Sequence, residues 1–307
     1  MKYNIAAIIV TFNRKELLGE CLNAIERQTY KPNVAYIIDN ASTDGTGEWI
    51  QENGYDGIKE EIEYRYIRLD DNIGGAGGFY TGLKMAHEAS ENFDAFWVMD
   101  DDGIADVEQL HNLTKHLTER DYISPMVVAK EDSNRISFGG SPLIQDFIRK
   151  ADAQGLIEKT AFPFNGILYS RHLIEVVGYP NKDLFIWGDE INYNLRCINK
   201  GFYPVVVVDA IHIHPMDRQP REKLYGNIYM IVPPQEWKLY CYVRNHFYTI
   251  RTESTIKHVV GDIGRFACRY TIYFTFYKFD WKKLFVVFHA IFDGSHKDLS
   301  QLNRYKN

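Results

Sequence analysis

Basic residues are not in excess: 35 Lys and Arg stand against 41 Asp and Glu, a formal net charge of -6. Bulk charge of that sign cannot displace counterions from a nucleic-acid backbone, so no nucleic-acid partner is expected. Cysteine is scarce. The four thiols, Cys21, Cys197, Cys241 and Cys268, lie far apart without CxxC spacing, which argues against a thiolate zinc site and suits reduced cysteines in a cytosolic setting. The leading "MKYNIAAIIVTFNRKE" carries an apolar run too short to span a bilayer and no small-residue cleavage site, so it reads as a first strand rather than a signal peptide. A P-loop is absent too, because no Gly-Lys-Ser/Thr follows the one glycine-dense stretch.

What is present is a chain of 307 residues, 45% hydrophobic, long enough for one large domain and an appendage. Short β-rich runs alternate with helical patterns through the first hundred residues: "IAAIIVTF", "RKELLGECLNAIERQ", "VAYIID", "TGEWIQEN", "IEYRYIRL" and "DAFWVMD". This βαβ rhythm predicts a mainly parallel sheet flanked by helices, with ligands gathered beyond the carboxyl ends of the strands. In the first helix Leu17, Leu18, Cys21, Leu22 and Ile25 mark the face that packs on the sheet.

Polar residues crowd those strand ends. Thr11, Asn13 and Arg14 follow the first strand, "DNASTDGT" from Asp39 the second, "DDNIGGAGG" from Asp70 the third, and "DDDG" the fourth. Single acids there can be turn formers or helix caps. Of these four polar strand ends three are acidic, and carboxylates converging on one rim repel one another unless a cation or a ligand hydroxyl sits among them. Alternation on an extended segment would turn Asp100 and Asp102 to one side and Asp101 to the other, a D-x-D pair suited to Mg²⁺ or Mn²⁺ and a diphosphate.

Three further stretches carry chemistry. In "NIGGAGGFYTGLKMA", Asn72 precedes Gly74, Gly75, Gly77 and Gly78, which read either as a flexible turn or as a loop letting backbone and helix N–H groups approach anionic oxygens. In "FIWGDEINYNLRCINKGF", Asp189 and Glu190 open a helix whose inner face is expected to hold Leu195 and Ile198. Asp189 there caps the helix or acts as a general base, and Trp187 offers a flat face to a sugar or to a core. In "YPVVVVDAIHIHP", His212 and His214 end a buried strand and are candidate metal or phosphate contacts.

Taken in order, "IIVTFNR", "IIDNASTDGT", "DDNIGGAGGF", "WVMDDDG", "FNGILYSR", "WGDEINYNLR" and "HIHP" resemble the inverting family-2 glycosyltransferases of the GT-A fold, over roughly the first 215 residues. The resemblance implies an α/β GT-A nucleotide-diphospho-sugar transferase domain at 1–215, followed by a C-terminal helical region at 216–307. It implies that Thr11, Asn13 and Arg14 border the nucleotide, Asp39 meets the base or ribose, and Asp70, Asn72, Gly74, Gly75 and Asp101 lie along the donor. Asp100 and Asp102 would be the D-x-D, with Asp102 the more direct ligand to Mn²⁺ or Mg²⁺, and His214 is favoured over His212 as the third. Asp189 would be the catalytic base, with Trp187 and Glu190 towards the acceptor. Within the family the glycine-dense loop is most similar to galactofuranosyltransferases using UDP-galactofuranose, with rhamnose transfer from a dTDP sugar next. The acceptor implied is a cell-surface glycan, lipid-linked or not. Outside this class, a nucleotidyltransferase would need a glycine-rich grip near the first strand, which "VTFNRKELL" lacks, and a non-catalytic sugar-nucleotide binder would lack a base.

Beyond residue 216 aromatics and cations dominate. Helical spacing holds for Phe266, Tyr270, Tyr273, Phe274 and Tyr277, and again for Trp281, Leu284, Phe285, Phe288 and Phe292, with Asp280 as a cap. Lys278, Lys282 and Lys283 interrupt the apolar run, so no membrane span is expected. Two readings stay open: a bundle packed on the catalytic domain or on another subunit of a homo-oligomer, or an interfacial surface holding a cytoplasmic enzyme on the inner face of the plasma membrane. "YVRN", Tyr242 to Asn245, is a candidate lining of the acceptor groove, with Arg244 towards a pyrophosphate.

Overall fold

The computed structural model describes residues 2–216, 219–254 and 256–306. They form two compact units, Met1–Lys182 with Arg196–Asp217, and Asp183–Leu195 with Arg218–Asn307. The short segment that opens with Asp183 therefore groups with the C-terminal part of the chain rather than with the sheet.

In the first unit the chain runs β1 (Ile5–Thr11), α1 (Lys15–Glu26), β2 (Val34–Asp39), α2 (Thr46–Glu52), β3 (Ile58–Lys59), β4 (Ile62–Arg68), α3 (Gly74–Glu88), β5 (Ala95–Asp100) and β6 (Ile104–Ala105). It continues through α4 (Gln109–Thr114), β7 (Tyr122–Ala129), α5 (Ile144–Ile148), β8 (Leu156–Glu158), β9 (Asn165–Ser170) and α6 (Arg171–Val177). Then come α7 (Asp189–Asn199), which begins in the second unit, and β10 (Val205–His214). The sheet order is β3-β4-β2-β1-β5-β9-β7-β10-β6, with β8 also on β10. The β4, β2, β1 and β5 strands are mutually parallel, and β9 runs antiparallel between β5 and β7. Every residue of β1 and β2 is buried, as expected for strands covered on both faces.

Register sets the functional edge. Thr11 pairs with Asp39, Asp39 with Arg68, and Val10 with Asp100, so the polar ends of four adjacent strands lie along one edge. From β1 the chain moves outward to β2 and β4, then crosses to β5 on the other side of β1. That reversal creates the crevice where open α/β sheets hold ligands.

The glycine-dense stretch is helix, not a loop before one. Gly74 is the first residue of α3. A Cβ at Gly78 would lie 2.5 Å from Val10 Cγ1, and one at Gly82 2.6 Å from Ile8 Cγ2. The i, i+4 pair thus forms a flat strip on which α3 lies directly against β1 and β2. Its start is fixed by Asn72, whose Oδ1 accepts the Gly74 N–H at 2.8 Å, and by Asn40, whose Nδ2 donates to Gly74 O at 3.2 Å.

The second unit contains the hairpin β11 (Arg221–Tyr225) and β12 (Ile228–Ile231), then α8 (Glu236–Glu253), α9 (Ile256–Ile272), a π turn at Tyr273–Tyr277 and α10 (Trp281–Ser295). Leu239, Val243, Phe247, Tyr270, Phe274 and Val287 are among its buried core. α8 and α10 approach so closely that a Cβ on Gly294 would sit 2.3 Å from the Arg244 carbonyl oxygen. Asp280 caps α10 by accepting the Lys283 N–H at 3.0 Å. The periodic aromatics divide: Tyr270, Tyr273 and Phe274 are buried, whereas Trp281, Phe285, Phe288 and Phe292 are exposed and the inner face of α10 is Leu284, Val287, Ala290 and Ile291. No helix among the described residues is long and apolar enough to cross a membrane.

Candidate active site

The acidic row is built on the ends of β1 and β5. Asp101 turns inward: its Oδ2 accepts the Thr11 hydroxyl at 2.7 Å and its Oδ1 the Arg14 guanidinium at 3.1 Å. Arg14 also donates to Asp102 Oδ2 at 3.2 Å. Asp100 and Asp102 face the end of β10, where His214 Nε2 is 3.2 Å from Asp102 Oδ1. One donor atom each from Asp100, Asp102 and His214 lies within 4.8 Å of the other two.

Electrostatics explain why this arrangement is under tension. Unit charges 4 Å apart interact by about 4 kcal/mol at an effective dielectric near 20, and three carboxylates here face a single guanidinium. Burial, with Asp102 and Asp101 adding to it, pushes Asp100 up to about 8. Burial also pushes Asp101 up, to about 6, although Arg14 and Thr11 oppose it. Asp102 goes the other way, because His214 and Arg14 outweigh its burial. For His214 burial is likewise outweighed, here by Asp102, and its pKa is raised. Without a cation the cluster sheds charge by keeping a proton on Asp100. A dication would let all three acids ionise.

The donor set fits such an ion. His214 Nδ1 is 2.7 Å from the Pro215 carbonyl and so donates to it, which aims Nε2 at the carboxylates; a cation that displaced the Nε2 proton would meet the tautomer used by metal-binding imidazole. Ser137, which the sequence did not single out, donates its hydroxyl to the same carbonyl at 2.5 Å, and Phe138 packs on the His214 ring with centroids 5.0 Å apart. Two carboxylates and one imidazole suit Mn²⁺ or Mg²⁺, the former more because it accepts nitrogen.

His212 is a different kind of residue. It is wholly buried, its Nδ1 is 3.0 Å from Gln109 Oε1, and burial pushes it down to about 3. A Cβ at Gly103 would fall 2.1 Å from its Nε2, so backbone closes over the ring and His214 alone of the pair reaches the carboxylates.

The other candidates of this unit scatter around the row. Asp39 is fully buried and both oxygens are taken, one by the Ser42 N–H at 2.8 Å and the other by the Tyr66 hydroxyl at 2.6 Å. As placed, it shapes the loop after β2. Asn13, at φ +52°, joins that loop through the Ser42 hydroxyl and the Thr43 N–H. Asp70 is exposed, and Gly75 has open space where a side chain would be. Asn40, inside "DNASTDGT", and Tyr66, inside "IEYRYIRL", were not singled out as site residues, because their partners lie on other segments.

Asp189 belongs to the second unit, where it begins α7 and is 6% exposed. The buried positions of that helix are Asp189, Asn192, Tyr193 and Cys197. Leu195 and Ile198, expected on the inner face, are only partly covered. Apolar spacing misled because this helix buries polar residues. The preceding loop is left-handed at Phe185, Trp187 and Gly188. Asn245 clasps it, its Nδ2 donating to the carbonyls of Leu184, Ile186 and Trp187 at 2.9, 3.0 and 2.7 Å. Arg244 is fully buried and donates to the carbonyls of Asp183, Leu184 and Leu299. The expected contact of Arg244 with a pyrophosphate is therefore replaced by a structural clasp. Glu190 accepts the Gly188 N–H at 2.9 Å.

Residues 6–177, more than half of the chain, match the pattern of glycosyl transferase family 2. The chain belongs to that family. It is 28% identical over 278 residues to galactofuranosyltransferase GlfT1 of Mycolicibacterium smegmatis, covering 86% of this chain and 88% of the relative. Among solved structures, S. aureus TarS 1-349 in complex with UDP-GlcNAc superposes with a TM-score of 0.54 at 13% identity, over 97% of this chain and 83% of TarS. GalNAc-T7 with UDP, GalNAc and Mn²⁺ gives 0.56 at 11% identity, over 81% of this chain and 47% of the other. The family-2 protein is thus a glycosyltransferase of GT-A-like fold, with additional C-terminal helices.

Proposed function

We propose that this enzyme transfers galactofuranose from UDP-galactofuranose to a hydroxyl of a cell-surface glycan, with inversion at the anomeric carbon. The observation that carries the reading is the meeting of Asp100, Asp102 and His214 at the topological switch of the sheet. The donor assignment is supported by the name of the M. smegmatis relative, which matches along most of both chains. UDP is supported by the nucleotide in the titles of both solved neighbours.

Asp100, Asp102 and His214 hold Mn²⁺ or Mg²⁺ in this proposal. The ion, when bound, supplies charge neutralisation for the departing diphosphate. Arg14, already tied to Asp101 and Asp102, adds a cation at the same edge. Thr11, Asn13, Asp39 and Asp70 border the nucleoside, while Asn72, Gly74 and Gly75 present the start of α3 to the donor. Asp189 takes the proton of the acceptor hydroxyl, and the helix N-terminus favours its anionic form beforehand. Trp187 and Glu190 flank the acceptor. Transfer is a single displacement and needs no covalent sugar on the protein.

Thermal stabilisation by a panel of sugar nucleotides tests the proposal. UDP-galactofuranose with Mn²⁺ is expected to give the largest rise in Tm and dTDP-rhamnose a smaller one. An equal or larger rise with dTDP-rhamnose overturns the donor assignment, and no metal-dependent rise with any sugar nucleotide overturns the site.

The acceptor is lipid-linked in this reading and the enzyme works at a bilayer surface. Support comes from Trp281, Phe285, Phe288 and Phe292, spaced along one exposed face of α10, and from Phe276 and Phe279 just before it, the latter 74% exposed. Lys278, Lys282, Lys283 and Lys297 lie in the same stretch. Aromatics edged by lysines suit the boundary between acyl chains and anionic headgroups.

A further inference from the structure

The second unit contains a cavity of about 350 Å³ that the transfer reaction leaves unused. That volume lies within the roughly 300–1,000 Å³ of small-molecule sites. The hairpin β11–β12 forms one wall and helices α8 and α9 the other. Phe266, Arg269 and Tyr270 share one face of α9 by their three- and four-residue spacing. Tyr242 meets them from α8, its ring stacked on Phe266 with centroids 6.4 Å apart. The walls are fixed to one another, because the Tyr270 hydroxyl donates to the Ile231 carbonyl at 2.6 Å.

Among the described residues the lining has one sign of charge. Arg221 and Arg269 are both part of it, Gln219 adds an amide, and no described carboxylate lines it. Arg269 makes no ion pair with any described residue. Both guanidiniums act on the Tyr242 phenol, although burial has the larger effect and raises its pKa. Tyr242 therefore stays a protonated donor beside two cations.

Arg269 is half-buried and has no counter-anion among the described residues, which is costly, and the planar fork of a guanidinium fits phosphate oxygens in pairs. We propose that this cavity binds a phosphate- or diphosphate-bearing group, gripped by Arg221 and Arg269, with Tyr242 and Phe266 packed against the moiety that carries it. A soluble phosphorylated sugar and a phospholipid headgroup present this same chemistry.

Calorimetry on the full chain in EDTA, which keeps metal-dependent donor binding out of the measurement, distinguishes the sources. The probes are inorganic pyrophosphate and a short-chain phosphatidic acid kept below its micellar concentration. Saturable binding is expected, weakened at least about tenfold in Arg269→Gln and separately in Arg221→Gln, and a few-fold in Tyr242→Phe. Asp102→Ala, a change in the other unit, should leave it unaltered. Tighter binding of phosphatidic acid assigns a lipid headgroup, and tighter binding of pyrophosphate assigns a soluble phosphate. No saturable binding of either probe, or binding that both arginine variants retain in full while melting normally, overturns the proposal. Turnover is not read, so the outcome is independent of the donor sugar.

Discussion

The two units spend their polar residues in opposite ways. In the first, the ends of β1 and β5 gather Asp100, Asp101 and Asp102 around one arginine, and the charge stays unresolved enough to hold Asp100 at about 8. In the second, Arg244 and Asn245 are buried but satisfied, with carbonyls taking their N–H groups, while large aromatics are left wet. A fully buried Phe contributes about 1.5–3 kcal/mol, which exposed Phe285 and Phe292 largely forgo. Unresolved charge is what a bound cation would relieve in one unit, and uncovered apolar surface is what a covering partner would bury in the other.

Asp189→Asn gives the largest test of this contrast, since Asp189 is the one catalytic candidate in the second unit. Its kcat is expected to fall by roughly 10²–10⁴, with UDP affinity within a few-fold by calorimetry; turnover at the wild-type rate would remove the base. Next in size is Asp102→Ala. Manganese-dependent UDP binding should weaken by about 10–100-fold or more, while binding in EDTA is unchanged, and an unaltered manganese effect would mean the acids are not its ligands. Asn245→Ala takes the side-chain donor from the half-buried Ile186 and Trp187 carbonyls, whereas that of Leu184 keeps Arg244, so urea denaturation should show a loss of about 1–3 kcal/mol. An unshifted midpoint would show that the loop before Asp189 is held by something else.

A smaller effect concerns pH in the metal-free protein. Asp100, Asp101 and His214 all bind a proton more tightly in the folded state. Each such group stabilises fully below its unfolded pKa and loses that contribution as pH rises through its folded pKa, whereas His212, pushed down to about 3, and the likewise lowered His116 and His246 act in the opposite sense; the acidic row is therefore isolated by a difference, wild type losing more Tm than Asp100→Asn as pH rises between about pH 4 and pH 8. Asp102, whose pKa is lowered, is ionised in both states above about pH 5 and adds no slope there. Saturating Mn²⁺ should flatten the wild-type curve, and identical pH profiles of the two proteins without metal would contradict the charge crowding. Smallest for the fold is Phe285→Ser with Phe292→Ser, expected to change stability by within about 0.5 kcal/mol per site yet to reduce flotation with phosphatidylglycerol vesicles. Unchanged flotation would sever the aromatic face from the membrane.

Strands and their polar ends were legible because burial on two faces leaves a continuous apolar signature and the chain must stop it with something polar. Alternation then separated Asp101 from Asp100 and Asp102 correctly, since a side-chain period of two needs no tertiary knowledge. Harder to see were residues acting through backbone. Asn40, Ser137 and Asn245 bond carbonyls contributed by distant segments, and no local pattern announces such a partner. Glycine density was ambiguous for a related reason: Gly78 and Gly82 answer to Val10 and Ile8, which only packing brings under them.

The order of motifs by itself determined the family, the parallel sheet and the acidic row, because these follow from local periodicity and residue chemistry. Tertiary structure decided which histidine faces the carboxylates, why Arg244 is a clasp rather than a ligand contact, and which aromatics of α10 remain in water. Each of those outcomes depends on what another part of the chain places alongside, and that neighbour is fixed only when the core has closed.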